Sequence, residues 1–123
     1  METRKEFFQS RLAERLLHAD LDDPEIGEQM TWQLPLATVQ QILRTTQGVA
    51  EETRNRVCEI VTEDLQEYVT QGWIQVLVVR AYLAILLVGD PERGLRFTDS
   101  LTECDLLMEA VLEGWRARFS PRE

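Results

Sequence analysis

WIQVLVVRAYLAILLV, residues 73–88, is the most apolar stretch of the chain. As a helix it is apolar nearly all the way round, with one arginine, Arg80, at its middle. At 1.5 Å per residue it would span roughly 24 Å, short of the ~30 Å hydrocarbon core of a bilayer. A helix with no polar face has to be enclosed by something. Length and the arginine argue against lipid, so the enclosure is expected to come from amphipathic helices of the same chain. A guanidinium inside such a bundle needs an acceptor or an opening to water.

Outward from this stretch, helical stripes recur on both sides. Phe8, Leu12 and Leu16 are spaced by four, with Phe7, Ala13 and Leu17 beside them, between Glu2 and Ala19. Asp22, Asp23, Pro24 and Gly27 then predict a loop. A second helix is expected from Pro35, with Leu36, Val39, Ile42 and Leu43 as its apolar stripe and Gly48 at its end. Val57, Ile60, Val61, Leu65, Tyr68 and Val69 predict a third over about 51–70. Gly72 introduces the central stretch and Gly89 closes it; Asp90-Pro91-Glu92 is a helix start. Leu101, Cys104, Met108, Val111 and Trp115 mark a last long helix. No alternation of period two is sustained. The expected fold is therefore all-α, one domain over 1–123, with the helix at about 73–88 surrounded by the others.

Composition narrows the function. A formal charge of −9 disfavours nucleic-acid backbones and anionic membranes as partners. The two cysteines have neither ligand spacing nor a disulfide framework, and predict reduced, buried thiols. METRKEFFQS is too charged for a secretory signal, so the expected compartment is the cytoplasm, with any membrane attachment indirect. The one histidine, His18, suits a helix C-terminus better than an active centre. There is no serine elbow, no phosphate loop and no calcium-loop order among the acids. No enzyme, cofactor or metal is expected.

Two strings carry a family resemblance. Val69-Thr70-Gln71-Gly72-Trp73-Ile74-Gln75 is similar to the signature V-N-W-G-R-I-V that opens the central helix of Bcl-2 family proteins, with valine, glycine and isoleucine in register. Leu112-Glu113-Gly114-Trp115 resembles the L-E-P-W that begins that family's second homology region, at the right distance from Gly72. Leu43-Arg44 with Gly48 is a fainter likeness to L-x-x-x-G-D, lacking the aspartate. The likeness covers most of the chain through order and spacing, each motif being degenerate. The short connection before residue 51 resembles compact viral members.

The resemblance implies a Bcl-2-like bundle that inhibits apoptosis by sequestering BH3 helices of pro-apoptotic proteins in a hydrophobic groove. Carried over position by position, it implies a groove lined by Ile60, Glu63, Asp64, Thr70, Gly72, Trp73 and Val76. Trp73 stands where the family has the arginine that pairs a ligand aspartate, and Thr70 where it has asparagine. Arg80, two helical turns beyond Trp73, is expected to share its face and replace that arginine; an internal acid, Asp99 or Asp105, is the alternative partner. Asp64 at an ordinarily apolar wall position implies selectivity among BH3 proteins. An exposed groove predicts self-association, with a Cys58 disulfide a lesser route. The competing readings are a helical adaptor acting as a homodimer and, less favoured, a pore-former of the same fold.

Overall fold

The structure, a computed structural model, describes residues 3–18, 24, 27, 32–88 and 101–119. Helix α1 runs Arg4–Leu17 and begins in a capping box. Thr3 Oγ1 accepts from Glu6 N–H at 3.1 Å, and Glu6 Oε1 accepts from Thr3 N–H at 3.0 Å. Phe7, Phe8 and Leu12 are buried, as their spacing predicts, and Leu16 is half-buried, but Ala13 and Leu17, expected beside them on the stripe, are exposed. His18 is the C-cap and its backbone N–H bonds Glu14 O. Pro24 and Gly27 are helical, against the loop expected there.

Helix α2, Leu36–Thr45, buries Leu36, Val39, Ile42 and Leu43. The Arg54 guanidinium donates to Thr46 O at 3.1 Å across the turn that follows, and Gly48 in that turn has φ +81°. Helix α3 is Glu51–Leu65, tightening into a 3₁₀ turn at Gln66–Tyr68. Helix α4 is Val76–Val88 and α5 is Leu101–Phe119. The Gly89 cap and the Asp90-Pro91-Glu92 start lie outside the described residues.

The chief departure from the expected fold is at the head of α4. Trp73–Gln75 is not helical; it is a strand, β2, antiparallel to β1, Gln33–Pro35. Gln33 faces Gln75, Leu34 faces Ile74, and Pro35 faces Trp73. Gln71 and Gly72 both have positive φ, 56° and 87°, and Thr70 and Trp73 exchange two backbone hydrogen bonds of 2.8 and 3.0 Å. That is a primed two-residue turn, the kind whose twist suits a hairpin. Trp32 O takes the Val76 N–H at 3.0 Å, so α4 cannot extend backwards through Gln75. Trp73, Ile74 and Gln75 alternate exposed, buried, exposed, a period of two hidden inside a mostly apolar run.

Gly72 is where this turn is most sensitive. A Cβ there meets nothing within 4 Å, so the cost of Gly72→Ala is conformational alone. The expected loss is about 1–2 kcal/mol of stability, read as a lower denaturation midpoint. An unchanged midpoint would mean that the positive φ is not required.

In space the helices follow the order α1, α4, α5, α2, α3, each packed on the next, and α5 also touches β1. Their buried side chains form one core, centred on Tyr82, Phe8, Leu12, Leu34, Leu43 and Leu107. The described residues are predominantly helical, with a two-stranded ribbon as the only sheet among them. No helix among them is long and apolar enough to cross a membrane.

Candidate functional site

α4 is less completely enclosed than its composition suggests. Val76, Val78, Val79, Tyr82, Leu83, Ile85 and Leu86 are buried. Leu77, Arg80, Ala81, Ala84 and Leu87 are only half-buried. At about 100° per residue these five fall within one arc of roughly 120°. The partly open positions therefore form a single face, apolar except for Arg80. Alanines at 81 and 84 keep its middle low.

Arg80 carries an unsatisfied donor: its Nη1 is buried and has no hydrogen-bond partner among the described residues. No ion pair joins it to Asp105, which is exposed on α5, and Asp99 lies outside the described residues. The other buried charge nearby in sequence is accounted for on the far side of the helix. Tyr82 Oη donates to Asp64, which α3 buries to 2% exposure. Tyr82 is two residues from Arg80, roughly 200° around α4, so the Asp64–Tyr82 contact and the open face point in opposite directions. Tyr82 also packs on Phe8, ring centroids 5.0 Å apart.

The expected groove residues do not assemble as one lining. Thr70, Gly72 and Trp73 come together on the primed turn and are exposed, Trp73 to 41%. Trp73 is on β2, so it shares no helical face with Arg80, and the two-turn geometry expected between them does not exist. Val76, expected on a groove floor, is 1% exposed and belongs to the core. Asp64, expected on the wall, is turned inward because it sits on α3's buried stripe, seven residues after Val57 and three after Val61. Ile60 is half-buried against the core. Glu63 is exposed, lining with Gln40, Arg44, Asn55, Glu59 and Thr62 an open depression of about 420 Å³ between α2 and α3.

Cys58 is 1% exposed and its thiol donates weakly to Gln40 O at 3.8 Å, so it offers no surface sulfur for a disulfide dimer. Burial, then Glu103 and Asp105, push the Cys104 thiol up to about 11, which leaves it protonated and unreactive near neutral pH. Among the described residues no group of His, Cys, Asp and Glu side chains is placed to hold a metal ion.

The two strings that carry the Bcl-2 resemblance both adjoin the segment Trp32–Pro35, the first through strand pairing and the second through Trp115. Trp115 is buried and its ring lies 4.3 Å from that of Trp32. Trp32 in turn accepts the backbone hydrogen bond of Val76, the residue after the first string. Sequence reasoning placed neither Trp32 nor Tyr82 in a role. For Tyr82 the signal was available: a carboxylate on a buried helical stripe requires a buried donor. No family model matches this chain, and no curated protein or solved structure is significantly similar to it.

Proposed function

We propose that this chain is a non-enzymatic helix-binding protein whose ligand is the BH3 segment of a pro-apoptotic protein, sequestered on the half-buried face of α4. On this reading it is a compact inhibitor of apoptosis of the Bcl-2 type. The observation that supports it is the contiguous arc of Leu77, Arg80, Ala81, Ala84 and Leu87. Amphipathic helices dock through apolar anchors recurring at three and four residues, and this arc repeats at the same steps. The small side chains at its centre permit close approach of a second helix. That the 69–75 and 112–115 strings both adjoin the Trp32–Pro35 segment favours the Bcl-2 form over an arbitrary helix binder.

The groove of this proposal differs from the one the resemblance implies. Trp73 and Thr70 border the ribbon, not the floor, and selectivity arises at Arg80 and the alanines because Asp64 is unavailable to ligand. The alternative is an adaptor that covers the same arc with a second copy of itself, an arrangement that Ala81 and Ala84 would also suit.

Amide-shift mapping with a panel of BH3 peptides tests the proposal. We expect a subset to bind and to perturb residues 77–88 most strongly. Perturbation confined to the α2–α3 depression, or none with any peptide, would contradict it. A dimer by light scattering that no peptide dissociates would favour the adaptor.

A further inference from the structure

We propose that the depression between α2 and α3 is a separate ligand site that takes a free basic amino acid. Arg44 and Asn55 hold its α-carboxylate and Glu59 its α-ammonium. The inference does not depend on the helix-binding reading of α4.

Two hydrogen bonds fix the walls of the depression against each other. Gln40 Nε2 donates to Thr62 Oγ1 at 3.1 Å, and the Arg54 guanidinium donates to Thr46 O at 3.1 Å. As the first partner moves up the chain the second moves down, so α2 and α3 are antiparallel. Gln40 and Thr62 are half-buried and form the floor; Arg44, Asn55, Glu59 and Glu63 are exposed above it. Asn55, Glu59 and Glu63 stand four apart, one row about 12 Å long on α3. In the antiparallel register Arg44, one turn beyond Gln40, lies opposite the Asn55–Glu59 part of that row.

Elsewhere on the surface opposite charges close on each other, Lys5 on Glu67 at 3.2 Å and Arg11 on Glu14 at 3.0 Å. Across the depression they do not. The side chains of Arg44, Asn55 and Glu59 make no hydrogen bond or ion pair among the described residues. A cation and an anion are thus held on opposite walls of a space of about 420 Å³, within the roughly 300–1,000 Å³ of small-ligand sites. The planar guanidinium takes a carboxylate through two parallel hydrogen bonds, and the Asn55 amide adds a donor beside it. Glu59 accepts from an ammonium. A compact zwitterion meets both walls, whereas a lone anion is repelled by Glu59 and a lone cation by Arg44. Glu63 leaves the lining net negative, one arginine against two glutamates, which favours a basic side chain on the ligand.

Amide-shift titration with L-lysine tests this, in the unaltered protein and in Arg44→Gln and Glu59→Gln. Saturable shifts at residues 40–44 and 55–63 are expected, with affinity about three- to tenfold lower in either variant. Added salt should weaken binding, because the site is open and its attraction is by charge. Cadaverine, which lacks the carboxylate, and Nα-acetyl-L-lysine, which lacks the α-ammonium, should also bind about three- to tenfold more weakly than lysine. Both variants alter exposed side chains and should keep the denaturation midpoint. Lysine shifts centred outside the depression, none at tens of millimolar, or equal affinity in both variants would overturn the site. Cadaverine as tight as lysine would overturn the part of Arg44, and acetyl-lysine as tight as lysine that of Glu59.

Discussion

Tyr82→Ala is expected to reduce the free energy of unfolding by about 3–5 kcal/mol, the range for deleting a buried aromatic ring. Tyr82 is the largest of the fully buried side chains among the described residues, and its ring touches Phe8 of α1. Truncation opens a cavity between α1 and α4 and removes the hydroxyl donor to Asp64. Two costs then combine, one of lost packing and one of a carboxylate left with a weaker set of partners. Tyr82→Phe separates them: it keeps the ring and should cost about 1–3 kcal/mol. Small domains hold roughly 5–15 kcal/mol in total, so the alanine variant is expected close to the limit of folding. Urea denaturation followed by circular dichroism reads both values. A loss under about 1.5 kcal/mol for the alanine variant would mean that α1 and α3 are not tied to α4 through this side chain.

Ala84→Glu is expected to separate binding from folding in opposite directions. Position 84 is one turn beyond Arg80 on the same arc, and Ala84 is not among the side chains that make up the core. A carboxylate there sits at the i+4 spacing from the guanidinium and supplies it with an acceptor inside the chain. Stability should be unchanged or slightly higher. Binding of an amphipathic helix should fall by about a hundredfold or more. Bulk and charge fill the low centre of the face.

The helical stripes were legible because each buries one face against a neighbour. Leu36, Val39, Ile42 and Leu43 are buried as a set, and so are Val57, Val61 and Leu65. The ribbon was not. Three residues carry too little period to separate strand from helix, and β1 is remote from β2 in sequence and includes Pro35. The choice was made by Trp32 O and by the positive φ at Gln71 and Gly72, both matters of tertiary pairing. Asp64 shows a related difficulty. Its position lies on the apolar stripe, but charge suggested surface, and only the arrival of the Tyr82 hydroxyl from α4 makes burial tolerable. Arg80 was visible from the outset as a charge needing a partner. What folding added is the direction it faces, away from Asp64 and along the partly open side of its helix.

Titrating the same BH3 peptides into the unaltered protein and into Ala84→Glu tests whether the arc from Leu77 to Leu87 on α4 receives an amphipathic helix. Saturable one-to-one binding of a subset to the unaltered protein is expected, with a negative heat-capacity change from buried apolar surface, and its loss in the variant although that variant stays folded. Equal affinities for the two proteins would contradict it.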